Sequence, residues 1–165
     1  MNQIAVELLT AEHWFRVKEL RLASLRDSPH AIGGNLETES VQNEFEWRGK
    51  FENLHYLIAS VDGTDGGIMT VENLVGDFGA TAWIGGCWSS PEYRGVGLLK
   101  AMIKFVDKHS QEKGWQRHGL GVWEDNYSAI TVYEKLGFVA MGDPQPSSRV
   151  ADKFYIRMIR DAVTS

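Results

Sequence analysis

One run of the chain combines residue types that could hold a phosphate: Ser90-Pro-Glu-Tyr-Arg-Gly-Val-Gly-Leu-Leu-Lys100. Arg94, Gly95 and Gly97 fall where an apolar stretch ending at Trp88 gives way to a stripe of helical spacing. Two glycines allow a tight turn and bring main-chain N–H groups close to a ligand. The first turn of the helix that follows has N–H groups without partners, and its dipole favours negative charge. With an arginine beside it, such a turn can bind phosphates through the amides of Arg94, Gly95, Val96, Gly97, Leu98, Leu99 and Lys100. A plain strand–turn–helix, with glycines serving only the turn, has the same spelling.

Other reactive types are scattered. Cys87 is the only cysteine and has no histidine near it in sequence, so it reads either as a nucleophile or as a small buried apolar residue within a strand. Glu72, Asp77 and Glu124 stand near strand ends or loops, where a carboxylate is either a general base or solvated surface. The five histidines show no metal-ligand spacing, so no metal site is expected. Trp83, Trp88 and Trp123 lie on strands flanking the glycine turn and serve either the core or a pocket wall.

The elements that must position these groups can be read from periodicity. Ile4, Val6 and Leu8 alternate as a first strand, and Thr10 is placed to cap a helix whose apolar positions run from Trp14 to Leu25 before Ser28-Pro29. A second helix is expected from about Thr38 to Asn53, with Val41, Phe45, Trp47 and Phe51 apolar. Leu54–Val61 and Ile68–Val71 read as strands around a turn at Asp62–Gly67, and Thr81–Trp88 as a central strand. The helix after the glycine turn carries the stripe Leu98, Ala101, Met102, Phe105, Val106 and His109 and stops at Gly114. His118–Trp123 is a strand, Asn126–Leu136 a helix closed by Gly137, and Phe138–Met141 and Phe154–Ile159 the last strands. The proline-bearing segment Gly142–Ser148 between them reads as a long connection. This order describes an α/β sheet covered by helices.

Two motifs now combine. Arg94-Gly95-Val96-Gly97, preceded by Pro91-Glu92-Tyr93, is followed downstream by Asn126, Ala129, Tyr133, Gly137 and Phe138 at fixed spacing. Together, and with Leu22–Gly33 as the segment joining the first two helices, they resemble the GNAT family of N-acetyltransferases over most of the chain. The resemblance implies a mixed, mostly antiparallel central sheet of about seven strands with helices on both faces. It also implies acetyl-CoA as acyl donor. The amides of Arg94 to Lys100 would hold its pyrophosphate, and main-chain groups of Trp88, Ser89 and Ser90 would pair with the pantetheine arm as an added strand does. By the same resemblance an amide in this region would polarise the thioester carbonyl. Tyr133 would be the general acid for the leaving sulfur; its other reading is a half-buried core aromatic. Asn126 would bond the cofactor or cap its helix. One departure stands out: the family often has glycine or alanine where this chain has Leu99, whose side chain faces either the ligand or the core.

Length and composition fit this picture. A chain of 165 residues suggests one domain, 1–165, with a real core. The net charge of −5 argues against nucleic acid or anionic membrane as partner. A lone cysteine, no secretory pattern at the N-terminus and no membrane-length apolar run fit a cytoplasmic protein. The expected function is acetyl transfer from acetyl-CoA to a primary amine, on a small molecule or a peptide, by direct attack in a ternary complex, with a homodimer expected by family analogy. The competing reading is a non-catalytic CoA-binding regulatory module of the same fold.

Overall fold

The computed structural model describes residues 2–164. In chain order its elements are β1 (Ile4–Leu9), α1 (Trp14–Asp27), α2 (Leu36–Ser40), α3 (Glu44–Gly49), β2 (His55–Val61), β3 (Thr64–Asn73), β4 (Ala82–Ser89), α4 (Leu98–Lys108), α5 (Ser110–Lys113), β5 (Arg117–Trp123), α6 (Tyr127–Lys135), β6 (Val139–Pro146) and β7 (Phe154–Asp161). The seven strands form one sheet in the order β1-β2-β3-β4-β5-β7-β6. Every pairing is antiparallel except that of β4 with β5. The expected mixed, mostly antiparallel α/β sheet is therefore present.

Alternation along the strands sends apolar side chains to both faces. On one face Leu98, Met102, Ile103 and Val106 of α4 pack on Leu57, Met69, Val71, Ala82 and Ile84, with Ala129, Ile130, Tyr133 and Leu136 of α6 at the margin. On the other, Val17 and Leu20 of α1 and Trp47 of α3 pack on Tyr56, Ile58, Ile68 and Trp88. Burying each such side chain is worth roughly 1.5–3 kcal/mol, so the two layers fix where the strand ends lie.

Several local expectations change. The helix foreseen from Thr38 to Asn53 is two short helices, with Asn43 and Glu46 forming a reciprocal cap between them. Only Trp47 of its apolar positions is fully buried; Val41 and Phe45 are exposed. Thr10 makes no side-chain cap, because a 3-10 turn at Ala11–His13 leads into α1 instead. The turn before β3 shrinks to Asp62-Gly63, both at positive φ, and pairing resumes at Thr64. The segment Gly142–Pro146 is strand rather than connection. It belongs to β6, the sheet's outer edge, where a proline costs no ladder bond.

Candidate active site

The site begins where the sheet opens. β4 and β5 pair only at Ala82–His118 and Trp83–Gly119 and then diverge. From Ile84 to Ser89, β4 keeps β3 on one side while its other edge has no strand partner. Unpaired main-chain donors and acceptors along such an edge can bind an extended chain. The divergence opens a cleft of about 1080 Å³.

A bulge sets which side chains face that cleft. Met69 of β3 stands opposite both Gly86 and Cys87, and Gly86 takes φ +58°, the left-handed conformation that suits glycine. The extra residue reverses the alternation. Ile84 and Cys87 both lie on the α4 face, whereas Trp88 turns to the α1 face. Without the bulge Cys87 would point away from α6.

At the end of the cleft beside α4, Pro91–Tyr93 forms a 3-10 turn, then Gly95 and Gly97 take φ of +85° and +96°. Gly97 is the N-cap of α4 and offers no side-chain cap. The first bond of α4 joins Ala101 N–H to the Gly97 carbonyl at 3.0 Å. Among the described residues, the amides of Leu98, Leu99 and Lys100 meet no acceptor. Amides left free in this way at a helix N-terminus can bind an anion. Leu98 is buried, and Leu99 is half-buried, packing on the core while also lining the cleft. Arg94 does not point freely into solvent. Its Nε donates to the Ser89 carbonyl at 3.1 Å, and its guanidinium bonds the Asp27 carboxylate at the end of α1. Trp88 Nε1 donates to the same carboxylate oxygen at 2.9 Å, and the Ser28 hydroxyl does so at 2.8 Å. These donors, Trp88 foremost, hold the Asp27 carboxyl down at about 2.

Deeper in the cleft, Tyr133 stacks edge-on against Phe138 and meets the Cys87 thiol. The thiol, chiefly through burial, is pushed up to about 11. The neighbouring Cys87, foremost, and burial disfavour the phenolate and raise the Tyr133 phenol above its ordinary value. Both groups therefore carry their protons at neutral pH. Cys87 lacks what a nucleophile needs, since no base faces it and its thiolate is disfavoured. Asn126 caps α6, its Oδ1 accepting from Ala129 N–H at 3.3 Å, and it lines the cleft as well. The capping role and the cleft position coexist.

The sheet face that carries α1 supplies the opposite wall. Ile84 and Val122 face α4, so their neighbours Trp83 and Trp123 face the other way. Trp83 lies on Gly119 so closely that a Cβ there would sit 2.4 Å from the ring. Trp123 Nε1 donates to the His30 carbonyl at 2.8 Å, tying β5 to the loop after α1. Tyr155 and Arg149 complete this wall. The base candidates fall elsewhere. Asp77 pairs with Arg157 at 2.9 Å, Glu124 is exposed, and neither they nor Glu72 lines the cleft. No sequence pattern signals the Asp27 clasp or the Arg149 wall, because both join segments far apart in the chain.

Comparison with known proteins bears on this geometry. The profile of the acetyltransferase (GNAT) family matches residues 14–138. An acetyltransferase of Yersinia pestis (strain Pestoides F) is 32% identical over 83 residues, which is 50% of this chain and 56% of that protein. The chain spans about half, or less, of the length of the relatives it matches by sequence. Among solved structures, an acetyltransferase of the GNAT family from Streptococcus pneumoniae superposes with a TM-score of 0.77 at 15% identity, covering 98% of this chain and all of that one (100%). The protein yncA from Salmonella typhimurium, solved with its cofactor acetyl-CoA, gives 0.73 at 13% identity, covering 98% and 95%. At such identities the two structures speak to the fold alone. No helix among the described residues is long and apolar enough to cross a membrane.

Proposed function

The chain belongs to the acetyltransferase (GNAT) family, and from that premise we propose that it moves an acetyl group from acetyl-CoA to a primary amine by direct attack in a ternary complex. One observation carries the reading. The unpartnered edge of β4 runs from the free amides at the start of α4 towards Tyr133 within one cleft, which supports a reading in which those amides take the pyrophosphate, the edge takes the arm and Tyr133 gives the proton.

The residues present fit the donor. The amides of Leu98, Leu99 and Lys100 would take the pyrophosphate, with the Lys100 ammonium beside them. The β4 edge at Ile84–Ser89 would pair with the amide-bearing arm. Acetyl-CoA would supply an acyl group activated as a thioester. Tyr133, protonated at neutral pH, would give its phenol proton to the sulfur as the C–S bond breaks, so that CoA leaves as the thiol. The attacking amine must arrive neutral. Since no carboxylate among the described residues lines the cleft, the amine's proton would pass to water in the open mouth.

The first test is titration with acetyl-CoA, CoA and ATP, followed by turnover across a broad amine panel. Binding of both CoA species without ATP, together with release of CoA in the presence of an amine, supports transfer. Binding without turnover on any amine replaces it with a CoA-binding regulatory module, and no binding of either CoA species ends both readings. Tyr133→Phe then tests the acid: turnover should fall about tenfold or more while acetyl-CoA affinity holds. Unchanged turnover returns Tyr133 to the core.

A further inference from the structure

The charge around the cleft is lopsided. In a chain of net charge −5, the cleft is lined, among the described residues, by four cations, Arg94, Lys100, Lys135 and Arg149, and by no aspartate or glutamate, Asp27 standing just outside it behind Arg94 and Trp88. Arg94 is clasped to Asp27, and Lys100 and Lys135 stand on the α4 and α6 side, where the phosphates would lie. Arg149 differs in place: it lies in the loop between β6 and β7, on the opposite wall, where its exposed guanidinium, among the described residues, meets no hydrogen-bond acceptor and no carboxylate.

The loop around Arg149 is nonetheless built. Ser147 Oγ accepts from the main-chain N–H of both Arg149 and Val150 at 3.0 Å, and Ser147 N–H donates to the Lys153 carbonyl at 2.8 Å. The guanidinium lies against Gly33, where a Cβ would come within 2.7 Å of its Nη1. It also lies 5.9 Å from the Trp123 ring centre, and that ring is fixed by its bond to the His30 carbonyl. The guanidinium thus lies against a glycine and near an indole that the Lys153 ammonium approaches at 5.5 Å, with its hydrogen-bond donors open to the cleft beside an aromatic wall.

We propose that the acceptor is an amine that also bears a carboxylate, a free α-amino acid with an apolar side chain, and that Arg149 binds its carboxylate. This rests on the acetyl-transfer reading above and names its substrate class. The guanidinium fork matches a carboxylate through two parallel hydrogen bonds. Trp83, Trp123, Tyr155 and Ile32 supply the apolar contact for the side chain. A polyamine or another polycation would meet Arg149 with no carboxylate to offset it.

The probes are L-phenylalanine, L-methionine, their primary amides, O-phosphoethanolamine and spermidine, compared at equal free-amine concentration with acetyl-CoA saturating. Each amino acid should exceed its amide in kcat/KM by about tenfold or more. Arg149→Gln should bring that ratio towards one through KM, and Arg149→Lys should restore part of it. A second arm titrates L-phenylalanine and its amide into the CoA-loaded protein, and the same preference should appear in wild type and vanish in Arg149→Gln. The inference is overturned by a ratio at or below one, by a ratio that survives Arg149→Gln, or by a preference for spermidine or the phosphate ester. Preference in the titrations without turnover on any amine would sink acetyl transfer and leave the carboxylate site standing. Turnover without preference would do the reverse.

Discussion

Two arginine–aspartate pairs in this molecule use the same chemistry to different ends. Arg160 meets Asp107 through two parallel bonds of 2.7 Å, with side chains only 8% and 12% exposed. Its Nε donates to the Leu136 carbonyl at 2.7 Å, and its Nη1 faces His118 Nδ1 at 3.2 Å. Burial lowers the His118 pKa and keeps the ring neutral, so Nδ1 can accept while Nε2 donates to the Trp115 carbonyl at 2.8 Å. Asp107 also accepts from Val163 N–H at 3.1 Å. This knot fastens β7, β5, α4 and the end of α6. Arg94 and Asp27 share a single contact at the cleft mouth, with side chains 50% and 28% exposed. Burial decides the difference: a buried pair cannot lose one member cheaply, whereas an exposed pair can exchange its partner for a phosphate.

The largest effect should come from breaking the buried pair. Arg160→Ala leaves Asp107 as an uncompensated buried charge, which costs about 3–5 kcal/mol. In a domain of this size that lowers Tm by roughly 10 °C. Thermal unfolding of Arg160→Ala beside Arg94→Ala checks it, and equal losses would erase the distinction.

How much of this could be read beforehand depends on the distance over which each feature is decided. The turn at Gly95–Gly97 and the inward face of α4 are local: Leu98, Met102 and Val106 are buried as expected and Ile103 joins them, whereas Ala101 and Phe105 are only partly buried and the helix expected to run to Gly114 breaks at His109 into α4 and the short α5. The break between α2 and α3 was also written locally, as Asn43 followed three residues later by Glu46. The apolar spacing of Val41 and Phe45 concealed it, because periodicity does not say whether an apolar face meets anything. Gly86 is a different case. Gly85 and Gly86 are adjacent, and only the pairing with β3 decides which one takes positive φ and so turns Cys87 towards Tyr133. The contacts that complete the cleft join residues 67 positions apart, as in Arg94–Asp27, or 93 apart, as in Trp123–His30. No single-sequence pattern carries such a pair. The resemblance read from Arg94 and Asn126 to Phe138 gave the fold; it had no means of giving Arg149.

The exposed pair should show its effect in binding instead. Arg94→Ala should weaken acetyl-CoA about tenfold, the scale of a lost hydrogen bond to a charged group. Its stability should change by less than about 1 kcal/mol, as for other exposed pairs. Titration and thermal unfolding on the same preparation separate the two. Loss of stability with affinity intact would make Arg94 a structural clasp like Arg160.

The smallest effect, and the sharpest on the exposed pair, lies in the pH dependence of Asp27. Its carboxyl is held at about 2 in the fold by Trp88, Ser28 and Arg94, against an ordinary value of about 3.9. A carboxyl depressed in the folded state contributes stability that is complete above its unfolded value and is lost as pH falls through the folded one. The wild type should therefore hold a small advantage over Asp27→Asn near pH 5, and the gap should close between pH 4 and pH 2, measured as urea midpoints. At neutral pH the same substitution removes the anion that competes for Arg94, so acetyl-CoA should bind no more weakly and up to a few-fold more tightly. A pH-independent gap would mean that the indole bond of Trp88, rather than charge, holds this corner. Weaker acetyl-CoA binding in Asp27→Asn would mean that Arg94 serves the phosphate only while Asp27 aims it.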